Sequence, residues 1–351
     1  MTGPIPIVAA GVRSALGVGA APSAAAVRAG VTALGEHPFL IDQAGRPMPG
    51  AVDAALDPHE GGPGRLVALA ESALREACAP LTGAGTPRPR LPVFLGLPEV
   101  RPGFTDREAE AVRSGLARLG GLPVEIAEVR AFAHGHAAGW SALAEAAERM
   151  ESGSCDACLV GGVDSYFDPE TMEWLDANRQ LVGTVARSGF VPGEGAGFCL
   201  LMTESCRDRL GLPPLAHVRA VALGQEAKLI KSTDVCIGEG LTAAVRNAVA
   251  GLRSPADRIS EVLCDINGER YRADEWAFVS LRLSGYFDDP TAYLSPAECW
   301  GDVGAATGPL LVMLACQAAV RGYARGPRTM IWASSEGGRR GAAVLEAATP
   351  A

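Results

Sequence analysis

Short apolar runs alternate with helix-period stretches along most of this 351-residue chain. Residues 5–11 form an apolar run ending in Gly, which suits a buried strand, and Ser23 is placed to cap a helix reaching Gly30. From 66 to 79 the residues Leu66, Leu69, Ala70, Ala73, Leu74 and Ala77 recur at helical spacing and make one apolar stripe. Further strands are predicted at 92–97, 124–129, 156–162, 195–202, 216–223, 261–266, 329–333 and 341–345. Helices are predicted at 105–119, 138–150, 240–251, 273–283 and 304–321. Residues 36–64 are rich in Pro, Gly and Asp without a clear period and read as loop, and 83–89 breaks the chain before a strand. Apolar strands alternating with helices predict an α/β fold, with parallel-rich sheets covered on both faces. Each half holds a strand, a long Ala-rich helix and a closing strand pair. That echo predicts two similar halves, 1–210 and 211–351.

Composition narrows the class. Hydrophobic residues make up 48% and charged residues 20%, enough apolar material for a large core. The net charge of −9 and the absence of a Lys/Arg run argue against a nucleic-acid partner. The longest apolar runs are too short to span a bilayer, and the first residues lack the pattern of a signal peptide. The nine cysteines are scattered in apolar surroundings, as reduced core cysteines are, so a soluble cytoplasmic protein is expected. Cys155 and Cys158 form a C-x-x-C, but no second pair or nearby His completes a metal site, and the start of a strand is the preferred reading. No glycine cluster carries the Lys-Ser/Thr ending of a phosphate loop, so neither a cofactor nor a metal is expected.

Five motifs occur in a telling order. The opening strand leads to Ser14-Ala15-Leu16-Gly17, and Asp156 to Val160 leads to Gly161-Gly162-Val163-Asp164. Ser188-Gly189-Phe190 runs through Gly193-Glu194-Gly195-Ala196-Gly197. Trp300-Gly301-Asp302 precedes a late helix, and Ser335-Glu336-Gly337-Gly338 forms the last turn. Together they resemble the β-ketoacyl synthases of the thiolase superfamily over nearly the whole chain, with 36–130 poorly matched. The resemblance implies a thiolase-like fold, two similar halves in an α-β-α-β-α layering.

The resemblance also locates the chemistry. Ketosynthases use a Cys at a strand-to-helix elbow and two His residues that support decarboxylation of a malonyl thioester. At the elbow Ala133-His134-Gly135-His136-Ala137, His136 takes the Cys position. Asn267 takes the place of the first His and Asp302 that of the second, while Glu336 replaces a gating Phe. The condensing triad is therefore absent. His134, Glu269, Arg270 and Glu336 are expected to add polar or charged groups to the same pocket. His134 and His136 either pack at the elbow or place an imidazole in the old nucleophile site. Asp302 either caps the following helix or faces the imidazole, and Cys299 reads as a packed core residue.

Three functions compete on this reading. The first is a protein that has lost Claisen condensation and acts as a binding or chain-length-factor-like partner. The second is an acyltransferase or hydrolase acting on acyl thioesters through His136 and Asp302. The third is an authentic 3-oxoacyl synthase. The resemblance implies an acyl carrier protein or a ketosynthase as partner, and a homodimer formed through the strand near 124–132.

Overall fold

The computed structural model describes residues 3–348 apart from 43, 84–87, 184–187, 230, 231 and 233, so part of the break predicted at 83–89 lies outside the described residues. The first half of the chain runs β1 (Ile5–Ser14), β2 (Gly17–Val18), α1 (Ala20–Arg28), β3 (Gly35–Ile41), β4 (Pro47–Gly50), α2 (Gly62–Cys78) and β5 (Arg90–Leu97). It continues with α3 (Asp106–Ala117), β6 (Glu125–Ala133), α4 (Ala138–Glu151), β7 (Ala157–Ser165), α5 (Pro169–Ala177), β8 (Glu194–Met202) and α6 (Glu204–Leu210). The second half runs β9 (Ala216–Gln225), α7 (Glu239–Val249), β10 (Glu261–Cys264), α8 (Arg270–Leu283), β11 (Tyr293–Leu294) and α9 (Ala297–Trp300). It closes with α10 (Thr307–Val320), β12 (Arg328–Ser334) and β13 (Arg339–Ala347).

The strand order shows an internal repeat. One set is ordered β6-β5-β7-β8-β1 and the other β11-β10-β12-β13-β9, and the two join where β1 pairs antiparallel with β9. In both sets the first three strands are parallel and the last two antiparallel to their neighbours. Between the third and fourth strand of each set, in chain order, a single 3₁₀ turn feeds a long buried helix, α4 in one and α10 in the other. These two helices share one apolar core with the inner faces of both strand sets. A second core lies between the first set and helices α2 and α3, and a third between the second set and α7 and α8. The result is a five-layer α-β-α-β-α stack. α10 is buried nearly all round, which explains why it shows no polar stripe. Among the described residues no helix is long and apolar enough to cross a membrane.

Several boundaries differ from the sequence expectation. The stretch read as loop from 36 to 64 contains the β3–β4 hairpin and the first residues of α2. The hairpin is a separate two-stranded sheet with mostly exposed residues, so it carries no apolar alternation to read. α2 begins early because Pro63 fits the first helical turn, where its missing N–H costs nothing. The helix expected at 304–321 opens as a 3₁₀ turn at Gly304–Ala306. α5 was not anticipated, although Asp168-Pro169 is a start signal, since Asp168 Oδ1 accepts from the N–H groups of Glu170 and Thr171.

Candidate functional site

β6 ends at Ala133, and the chain turns through Gly135 into α4. Gly135 has φ +60°, a conformation that disfavours side chains, and it drives His136 inward at the elbow. The second half supplies the facing wall. β10 ends at Cys264 and leads to Asn267 and Glu269 ahead of α8, while Asp302 sits just before the 3₁₀ turn that opens α10. A backbone bridge locks Asp302 in place: its N–H donates to Val191 O at 2.7 Å and its carbonyl accepts from Gly193 N–H at 2.8 Å. The next residue, Glu194, is fully buried and holds Arg65 Nε at 2.6 Å. It also accepts from the Asp53 N–H and the Ser165 hydroxyl, both at 2.8 Å. The glycine-rich turn thus frames the pocket.

The fold brings His136, Asn267 and Asp302 together. His136 Nε2 lies 2.8 Å and 2.9 Å from the two Asp302 carboxylate oxygens. Asn267 Nδ2 donates to Asp302 Oδ2, the Tyr166 hydroxyl donates to Oδ1 at 3.0 Å, and the Gly304 N–H donates to Oδ1 at 2.8 Å. Asp302 therefore serves both the turn before α10 and the imidazole. Glu269 also joins the cluster: it accepts from Asn267 Nδ2 at 3.1 Å, and its own N–H donates to Asn267 Oδ1 at 3.0 Å.

Two expected pocket residues lie elsewhere. His134 turns into the elbow, with Nδ1 2.9 Å from Ser141 Oγ and its ring against Phe132, and it does not line the cavity. Arg270 is 83% exposed and pairs with Asp274 at 3.3 Å on the outer face of α8. The arginine that enters the site is Arg272, two residues further on and on the opposite face of α8. It is fully buried, donates to Asp265 and to Ser334 O, pairs with Glu269 Oε2 at 3.1 Å and stands 3.2 Å from His136 Nε2. The helical phase could have found it, because Arg272, Trp276, Val279 and Leu283 form the buried stripe of α8. Glu336 does line the cavity and accepts from Gln180 Nε2. Cys299 is buried, and burial pushes its thiol up, so it is inert packing.

The electrostatics follow from this network. Burial and Arg272 push the His136 imidazole toward neutrality, but the charge and hydrogen bond of Asp302, helped by Asp265, outweigh them and raise its pKa. Burial opposes ionisation of Asp302, yet His136, Arg272 and Asn267 hold its carboxyl well below the usual range. Burial raises Asp265 despite Arg272 beside it. From the His136, Glu269 and Arg272 side of the network a cavity of about 350 Å³ opens toward Glu99, Arg101, Trp174, Leu175, Phe190 and Glu336. Among the described residues the one group of potential metal ligands is Glu226, Cys236 and Glu275, where Arg340 already occupies Glu275 at 2.5 Å.

A family model for the N-terminal domain of β-ketoacyl synthases matches residues 135–206, from the elbow through the glycine-rich turn and β8. That segment is similar in sequence to the β-ketoacyl synthase domain, and the whole chain has the fold of the ketosynthases. Comparison with curated proteins gives no match. The chain is similar in structure to a ketosynthase from module 6 of the bacillaene synthase of Bacillus subtilis 168, with a TM-score of 0.76 at 14% identity. That match covers 99% of this chain and 72% of the other. It is also similar to the ishigamide ketosynthase/chain length factor, at TM-score 0.72 and 21% identity over 99% of this chain and all of the other. A ketosynthase bound to its type II acyl-carrier protein and a hexaketide matches at TM-score 0.75 and 15% identity, with the same coverage. In this ketosynthase-like frame, His136 stands at the elbow that opens the matched segment.

Proposed function

We propose that this ketosynthase-like chain does not carry out Claisen condensation and acts as a binding partner, in the manner of a chain length factor. The observation that carries the reading is the His136–Asp302 pair at 2.8 Å, at the position where a nucleophile would stand. A condensing enzyme needs a lone pair at the elbow to attack a thioester, and donors facing the oxyanion that forms. The raised pKa of His136 favours an imidazolium, which has no free lone pair. Asp302, held ionised, would repel an oxyanion. The same two features disfavour hydrolysis or acyl transfer with His136 as base.

The proposed partner is a second ketosynthase-fold chain, with an acyl carrier protein as the cargo donor of the assembly. β6 ends the strand order, and its residues Glu125, Ala127, Glu128 and Arg130 are exposed, so its outer edge is open to strand pairing, including with a second copy of this chain. The test is intact-mass analysis after incubation with acyl and malonyl thioesters, together with measurement of CO₂ release. No adduct and no decarboxylation are expected. A stable acyl adduct would overturn the reading. Light scattering of the chain alone and mixed with a Cys-containing ketosynthase reports the partner, and a strictly monomeric chain in both samples would refute assembly through β6.

A further inference from the structure

The cavity beside the His136–Asp302 network has its own unused polar groups, of opposite sign, on one stretch of chain. Glu99 and Arg101 follow β5 immediately, beyond the carboxyl end of a parallel strand, where open α/β sheets bind ligands. The Arg101 side chain is only 10% exposed. Its Nη2 donates to Asp164 at 2.7 Å and to Ser165 O at 2.9 Å, and the guanidinium lies over the Tyr166 ring at 4.4 Å. Nε has no hydrogen-bond partner among the described residues, and none is made by Nη1. A guanidinium carries five N–H donors, so the two N–H groups of Nη1 are left without a protein acceptor among the described residues, beside the engaged Nη2. Glu99 accepts from the Gly337 N–H at 3.0 Å and makes no ion pair among the described residues, and burial raises its pKa. Trp174, Leu175, Phe190 and Leu229 form an apolar part of the wall, and His136, Glu269, Arg272 and Glu336 line the polar part.

We propose that this cavity binds a small zwitterion with an apolar side chain, of the α-amino-acid class. Its carboxylate would accept from Arg101 Nη1 while Nη2 keeps Asp164, its ammonium would meet Glu99, and its side chain would lie against Trp174 and Leu175. The volume of about 350 Å³ is at the small end of ligand pockets. A net-neutral ligand also suits a pocket lined by groups of both signs, because a simple anion or cation would meet only one of them and add an unbalanced charge at low dielectric. The inference rests on the non-condensing reading, since an acyl thioester would claim the same room.

The experiment is calorimetric titration of the full chain with L-leucine, 4-methylpentanoate and 3-methylbutylamine, which share the side chain and differ in the polar head. Leucine is expected to bind at least about tenfold more tightly than either half-ligand, the equivalent of one charged hydrogen bond. Glu99→Gln, at a carboxylate whose one hydrogen-bond partner among the described residues is the Gly337 N–H, should reduce leucine affinity about tenfold and leave 4-methylpentanoate unchanged. Arg101→Met should abolish binding of both carboxylates. Equal affinity for leucine and either half-ligand overturns the proposal, as does the absence of leucine and phenylalanine binding at about 10 mM, which would place any affinity below that of a single weak contact. An acyl adduct in the mass assay would instead sink the non-condensing reading and leave these titrations to stand or fall separately.

Discussion

Replacing Asp302 by Asn keeps the size of the side chain and removes the charge at the centre of the site. The wild-type carboxylate accepts from His136, Asn267, Tyr166 and the Gly304 N–H. The amide offers one acceptor oxygen and turns two N–H donors toward groups that are themselves donors. Breaking one side of a buried charge pair costs about 3–5 kcal/mol. Loss of the His136 proton relieves part of this, so the lower end of that range is expected. The pH dependence gives the reasoning its sign. His136 has a folded pKa above its ordinary 6.5, so its contribution is complete below that value and fades as pH rises through the folded pKa. Asp302 is depressed below 3.8, so its contribution is present above that value and is lost on acidification. The gap between wild type and Asp302→Asn should therefore be larger at about pH 5.5 than at about pH 8.5. Urea denaturation at the two pH values measures it, and nuclear magnetic resonance of the imidazole gives the His136 titration directly. An Asn variant as stable as wild type, or a gap independent of pH, would refute the coupled pair.

Arg272→Met should cost at least about 3 kcal/mol in the same urea assay, because it strands Asp265 and Glu269 in the interior. Arg270→Met, two residues away but exposed, should stay within about 0.5 kcal/mol of wild type. Glu194→Gln should lower the urea midpoint by an amount equivalent to about 3 kcal/mol or more, since Arg65 loses a partner at 2.6 Å with both side chains buried. Gly162→Ala should yield little folded protein on expression and size-exclusion analysis. A Cβ there would lie 2.1 Å from the Ala305 carbonyl, where β7 meets the turn before α10, and neither backbone can retreat.

Much of this fold was legible because its strands are short apolar runs and α2 has a plain apolar stripe. The parts that were not legible have local causes. β3 and β4 pair only with each other, so Met48 is buried while Phe39 and Ile41 remain exposed, and no period survives. α10 is apolar on every side and shows no moment, which leaves its first turn indistinct. The site divides in the same way. His136, Asn267 and Asp302 were readable because each lies in a turn whose surrounding motif fixes its place. Arg272 lies on a helix, where a shift of two residues moves a side chain from core to solvent, so Arg270 was the wrong choice until the phase of α8 was known. Glu99 and Arg101 stand in the stretch that resembles ketosynthases least. Their position at the end of a parallel strand was the available signal.

The polar network also decides where a ligand can go. His136 comes from the first half of the chain, and Asp302, Asn267 and Arg272 come from the second. Arg101 and Asp164 repeat the arrangement, with Asp164 Oδ2 accepting from the Ala305 N–H of the second half at 2.9 Å. The His136 imidazole and the Arg272 guanidinium face three buried acidic side chains, Asp265, Glu269 and Asp302, and nearly every polar atom among them is satisfied. Asp265 Oδ1 is the exception. Driving an acyl group between these side chains would separate buried, paired charges, at several kcal/mol for each group exposed to the apolar chain. The network therefore ties the two halves together at the point where a ketosynthase must stay open. The remaining room is lined by Gly135, His136, Glu269 and Arg272 of this network on one side and by Glu99, Arg101 and Trp174 on the other, so a bound ligand would meet both the elbow and that wall.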